Sequence, residues 1–335
     1  MSDRQYLNPA LVLICRFAGI ASVSLALAFV INNFLTYAYG MPGIAPTLGS
    51  AGLVWFDSPK GDVSSAGWLQ VLLMLGALGG AGYYASTNGS LEKDASRMDA
   101  LSSIIIRIAF WSVLLIGIVD AALSFLRVED LHTVIFGKDL ATKLGLSSWR
   151  GVYIHLPLMA LAVLIGLRDK SVSVVWLILL VVVAELFIVL ARFIFSYEQT
   201  FMGDLVRFWY ASLFLFASAY TLKEEGHVRV DVIFAAFRER TKAWVNATGT
   251  LFFGIPLCWM ILTRGLSGKS SLINSPMLNF ETSMSGFGMY VKYLMAAFLL
   301  VFALSMLAQF TSYFFHALSV MNNTDPEAAA DPEGA

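Results

Sequence analysis

His227, Arg229 and Asp231 place an imidazole, a guanidinium and a carboxylate within five residues, in the run Gly226-His-Val-Arg-Val-Asp231. Residues four apart share a helix face, so His227 and Asp231 meet if this run is helical. Gly226 is free to make the turn that opens such a helix, and Asp231 near its start suits the positive end of the helix dipole. Two roles fit that grouping: a substrate or ion site, or a structural clasp that fixes the turn and the helix after it. The clasp is favoured, because the run borders a stretch that belongs beside lipid headgroups. Two further carboxylates, Asp120 and Glu185, stand inside long apolar runs, where ionisable groups are costly and need partners. They form either a proton or cation relay, or each pairs with an arginine such as Arg107 or Arg192 or faces a partner subunit. The second reading is favoured, since two carboxylates on one chain specify no path. Arg192, Arg207 and Lys292 lie near the ends of apolar runs, where long side chains snorkel. Arg192 or Arg207 is expected to pair with Asp204 and tie adjacent helices together.

The elements that must carry these groups are membrane spans. Of 335 residues 58% are hydrophobic and 13% charged, about half the charge of a soluble domain. The expected fold is all-α and integral to the membrane, with about eight spans of roughly 20 apolar residues each. They are Phe17–Tyr39, Gly67–Ala85, Ile104–Leu126, Gly151–Leu167, Val172–Phe195, Leu205–Leu222, Trp244–Leu262 and Gly288–Phe315. The first is too long for a signal-peptide core and reads as an uncleaved anchor. From Val230 the apolar residues fall at Val230, Ile233, Phe234 and Phe237, the spacing of one helix face. The opposite face carries Arg238, Glu239, Arg240 and Lys242, so an interfacial amphipathic helix is expected there. Arg238, Arg240 and Lys242 would then bind anionic lipid headgroups. Gly76, Gly79, Gly80 and Gly82 offer a face on which another helix could approach closely.

Several function classes lose their support. A net charge of −1 gives no reason to expect nucleic acid, and no Walker loop, dinucleotide-binding glycine pattern or nucleophile elbow is present. The four histidines have no metal-ligand spacing. No catalytic residue, metal or cofactor is assigned. Lys and Arg are denser on the side that holds both termini, chiefly through Lys223, Arg229, Arg238, Arg240 and Lys242. Both termini are therefore expected in the cytoplasm, with the interfacial helix on that face. Residues 321–335, rich in Asp, Glu, Pro and Ala, are expected to be a disordered tail. Gly151-Val-Tyr-Ile-His and Gly288-Met-Tyr-Val-Lys open the fourth and eighth spans alike, so a degenerate duplication of a four-helix unit divided near residue 171 stays open.

The second half resembles the small permease subunit of tripartite ATP-independent periplasmic (TRAP) transporters, the DctQ type. Ala191-Arg-Phe-Ile-Phe195 closes one helix and Gly203-Asp-Leu-Val-Arg207 opens the next, with Asp204 where the family more often has Glu. Gly226-His-Val-Arg-Val-Asp231 follows that helix, and Lys292 and Gln309 match the basic residue and distal Gln of the last one. Tyr290-Val291 stands where the long branch of the family usually has a proline. The resemblance implies a domain at 172–320, preceded by a four-helix extension at 1–171. It implies a bacterial inner-membrane scaffold that braces a large permease subunit and helps dock a periplasmic substrate-binding protein. Sodium coupling and the organic-acid site are expected in the large subunit. Arg192, Asp204, Arg207, Gly226, His227, Arg229, Asp231 and Lys292 are its expected structural or subunit-contact residues. Two alternatives stay open: an autonomous carrier or channel using Asp120 and Glu185, and a haem-binding enzyme subunit with His155 and His316 as ligands.

Overall fold

A computed structural model describes residues 7–52, 65–87, 89–172, 174–224, 232–283 and 287–323. Among them there is no strand. The helices are α1 (Pro9–Ala38), α2 (Ile44–Ser50), α3 (Ser65–Ser86), α4 (Leu91–Val128), α5 (Leu131–Leu144), α6 (Ser147–Arg168), α7 (Val174–Phe195), α8 (Thr200–Lys223), α9 (Val232–Ala235), α10 (Glu239–Gly265), α11 (Asn274–Leu278) and α12 (Lys292–Asn323). Eight of these, α1, α3, α4, α6, α7, α8, α10 and α12, are long and apolar enough to cross a membrane. The chain folds into two compact units. One draws on the described residues of Met1–Leu101, Glu225–Gly268 and Met306–Ala335, the other on Ser102–Glu224 and Lys269–Ser305. Both take residues from either side of position 171.

In the first unit α1 runs along α3, and the buried seam is built from small residues: Ala21, Ala81, Ala85, Ala95, Ala243, Ala247 and Ala317, filled in by Phe314 and Phe315. Small side chains let membrane helices pack on dispersion contacts where water supplies no hydrophobic drive. Gly19 is needed for this fit, since a Cβ there would come within 2.6 Å of the Phe315 ring. Of the expected glycine face, Gly76, Gly79 and Gly80 would bring a Cβ within 4 Å of nothing, whereas a Cβ on Gly82 would lie 3.7 Å from the Phe17 ring of α1; Ala81 and Ala85 of α3 make the buried contact. Arg16, buried in α1, donates to Asp94 of α4 at 2.7 Å and to the carbonyls of Ala85 and Thr87 at 2.9 and 3.0 Å.

In the second unit α7 and α8 form an antiparallel pair. Leu177, Ala184 and Ala191, spaced by seven, make one buried seam of α7. The α6 helix closes on α4 at Gly166, where a Cβ would come within 2.9 Å of the Ile108 backbone. Gly117 leaves room for the Trp209 indole, which donates to the Val113 carbonyl at 3.2 Å. The short link from α6 to α7 is an Asx-type turn. Asp169 accepts from the Ser171 hydroxyl and N–H at 2.7 and 2.8 Å, and these bonds hold its carboxyl below the usual carboxylate range. Between α7 and α8, the Tyr197 hydroxyl donates to Glu129 at 2.7 Å. Burial and then that carboxylate push the phenol up to about 12.

The expected interfacial helix is revised. Its described part is the single turn α9, and the backbone becomes extended at Arg238 (φ −64°, ψ 150°). Glu239 to Lys242 then form the first turn of the seventh span. The amphipathic spacing was real but ran across a helix start, which periodicity alone does not reveal. Gly226, His227, Arg229 and Asp231, and the tail beyond 323, lie outside the described residues.

Candidate functional site

The densest polar constellation of the second unit surrounds Asp120, near the end of α4. Its Oδ1 accepts from Arg150 Nη1 at 2.7 Å and lies 3.2 Å from His155 Nε2. Its Oδ2 accepts the Tyr290 N–H at 2.7 Å. Asp120 and His155 are fully buried, and Arg150 is 1% exposed. The Arg150 fork is completed by the Leu144 carbonyl, which accepts from Nε and Nη2 at 3.0 and 2.8 Å at the end of α5. The His155 ring stacks on Tyr293, and its Nδ1 is 2.7 Å from the Tyr293 hydroxyl. With the proton placed on Nε2, a neutral imidazole donates to Asp120 and accepts from Tyr293, so both ring nitrogens are satisfied.

Arg150 and His155 are five apart. On an α-helix they would point roughly 140° away from each other. They converge because α6 contains a π turn at Gly151–His155, closed by the Leu156 N–H on the Gly151 carbonyl. The i→i+5 turn holds more residues per revolution and brings positions five apart toward one face. Its cause is in the sequence: Pro157 has no N–H to give to the preceding turn. The same device recurs in α10, where a π turn at Thr250–Gly254 precedes Ile255-Pro256.

The segment before α12 is the focus of these contacts. Met289 and Tyr290 donate their N–H groups to Asp204 at 3.1 Å and to Asp120 at 2.7 Å. These donors precede the first turn of α12, where anions are favoured by orphan N–H groups and by the helix dipole. Arg127 donates to the Gly288 carbonyl at 2.7 Å and also hydrogen-bonds the Tyr290 hydroxyl. The Tyr290 ring carries the guanidinium of Arg150 4.2 Å from its centroid and that of Arg127 at 4.6 Å, a cation–π arrangement. Two carboxylates and Arg127 thus fix three residues of backbone, with Arg150 against the Tyr290 ring. A proline at 290 would have lacked the N–H that Asp120 takes.

The residues singled out from sequence sort differently from expectation. Asp120 pairs with Arg150, not with Arg107 or Arg192. Arg192 pairs with Glu198 at 3.3 Å, with both side chains more than half exposed. Arg207 does pair with Asp204, at 3.3 Å, but one turn along the same helix and with 73% of its side chain exposed. The tie between elements is the Asp204 bond to the Met289 backbone. We therefore expect Asp204→Ala to cost about 1–3 kcal/mol by orphaning a buried donor. Arg207→Gln should stay within about 1 kcal/mol, as exposed pairs do. Thermal unfolding of the two variants in detergent separates these outcomes. Lys292 pairs with Glu281 at 2.6 Å. Lys242 pairs with Glu239 at 2.9 Å. His155 is engaged by Asp120 and Tyr293, and His316 is exposed. Glu185 lies on the exposed side of α7. Sequence reading missed Arg150 and Arg127, which it placed in a connecting segment, and Tyr290 and Tyr293, whose role depends on the π turn.

Beside this network is a cavity of about 340 Å³ lined by Ile116, Phe208, Leu294 and Phe298. Ser112 also lines it, but its hydroxyl is bonded to the Ile108 carbonyl. The cavity therefore offers apolar contact and no free group to orient a polar solute.

Residues 178–317 match the family model described as tripartite ATP-independent periplasmic transporters, DctQ component. No curated protein and no solved structure matches the chain. Asp204, Tyr290 and Tyr293 fall within the matched residues, whereas Asp120, Arg127, Arg150 and His155 precede them.

Proposed function

We propose, from the match of residues 178–317 to the DctQ component of TRAP transporters, that the whole protein is the small membrane subunit of such a transporter. In this reading it is a multi-pass bacterial inner-membrane scaffold with both termini in the cytoplasm. It braces a large permease subunit and helps dock a periplasmic substrate-binding protein. Sodium coupling and the selection of an organic acid belong to those partners, and the chain itself carries out no catalysis and needs no cofactor. The four spans before about residue 171 are an extension built into the scaffold. The division at 1–171 and 172–320 is a division of family likeness rather than of packing.

One observation carries the scaffold role. The buried charges around Asp120 are used to hold backbone: residues that precede the matched segment fix the lead-in to its last span. This also weakens the autonomous carrier. Asp120 is enclosed and neutralised by Arg150, while Glu185 faces outward from another helix. The test is co-purification. The tagged chain, expressed with its genomic neighbours and extracted in mild detergent, is expected to bring down a larger permease in fixed stoichiometry. Solute uptake by the chain alone in liposomes, with no partner retained, would overturn the reading.

A further inference from the structure

Glu185 stands midway along α7, the least enclosed span. Only 17% of its most apolar window is buried, against 50% for α12. Its buried seam of Leu177, Ala184 and Ala191 packs inward. The opposite side presents Ile178, Val182, Leu186, Val189 and Phe193, all exposed, and Glu185 shares that side with Ile178, Val182 and Val189 at helical spacing. Among the described residues Glu185 has no hydrogen bond or ion pair. The other carboxylate deep in a span, Asp120, is fully neutralised. A carboxylate facing hydrocarbon is costly, and intramembrane acids are found paired or facing a protein interior.

We propose that this side of α7 is the docking surface for a transmembrane helix of the transporter's larger membrane subunit, which supplies a cation or hydrogen-bond donor to Glu185 at mid-depth. The inference rests on the small-subunit reading above. The charge argues for a different chain over a second copy. A two-fold contact places a surface against itself, and two chains of the same orientation would then set Glu185 against Glu185 at one depth. No cation of α7 lies near enough to relieve that repulsion, since Arg192 is two turns away and paired with Glu198. The flanking valines, leucine and isoleucine supply the apolar contact, and Glu185 fixes the register of the two helices.

The experiment uses the full chain co-expressed with its neighbours, with a photo-crosslinking residue at Val182 or Val189, irradiated in intact membranes. In parallel, Glu185→Gln and Glu185→Lys are carried through co-purification. The expected result is a crosslink to the larger subunit from both positions. Partner recovery should fall at least tenfold for Glu185→Lys and less for Glu185→Gln, which keeps a hydrogen-bonding oxygen. The yield and melting temperature of the isolated chain should not change. A crosslink to a second copy of this chain overturns the docking surface, as does a partner that co-purifies equally well with Glu185→Lys; either leaves the small-subunit reading standing. If wild-type chain neither crosslinks to nor co-purifies with a larger subunit, both readings fail.

Discussion

Asp120→Ala should lower the unfolding free energy by about 3–5 kcal/mol, the usual cost of removing one member of a buried ion pair. The large effect comes from what remains. Arg150, 1% exposed, would keep its charge with only the Leu144 carbonyl and the Tyr290 ring face to answer it, and the Tyr290 N–H would lose its acceptor. Arg150→Met should cost a comparable amount for the converse reason, leaving Asp120 with His155 and one backbone donor. The two effects should not add. Once the pair is gone as a pair, the double variant Asp120→Ala with Arg150→Met has no orphaned charge, and contacting residues of one network couple by about 0.5–3 kcal/mol. Unfolding of the four proteins in one detergent, followed by tryptophan fluorescence, measures the coupling. Strict additivity, or single variants as stable as wild type, would show that the network does not hold the second unit together.

Much of this was legible in the sequence, and the failures share a physical origin. The spans are visible because about 20 apolar residues leave little room for another reading. Their ends are less visible, because a helix does not stop where its apolar run stops. The polar stretch before Ile104 became the first three turns of α4, and Arg16 lies within α1 although hydropathy starts that span at Phe17. The charged partners were missed for the same reason. Arg150 reads as a loop residue until α6 is extended to Ser147, and its convergence with His155 needs the π turn that Pro157 imposes. Asp120 could be recognised as needing a partner, but the partner could not be named from α-helical spacing. The alanine seam of the first unit was hidden behind the more conspicuous glycines of α3, of which Gly76, Gly79 and Gly80 face outward.

Arg16→Ala should be the corresponding lesion of the first unit, again about 3–5 kcal/mol. The α4 helix carries an aspartate near each end, and both are met by an arginine that also caps the C-terminal end of another helix. Arg150 joins Asp120 to the last carbonyl of α5. Arg16 joins Asp94, in the first turn of α4, to the carbonyls of Ala85 and Thr87 at the end of α3. The Ala85 carbonyl is among the last of α3, at the negative end of the helix dipole, and Thr87 follows directly after the helix, so a guanidinium suits both. Asp94 is 1% exposed and also accepts from the Tyr84 hydroxyl at 2.7 Å. Without Arg16 it would be a buried carboxylate holding one neutral hydrogen bond. Arg16→Lys tests whether charge or geometry matters. A lysine restores the charge, but its compact ammonium cannot reproduce the guanidinium fork that reaches a carboxylate and two carbonyls at once. Stability should therefore recover only in part. Full recovery by lysine would mean that neutralising Asp94 is sufficient and that the α3 carbonyls contribute nothing. No recovery would mean that the fork, rather than the charge, orders the junction of α1, α3 and α4.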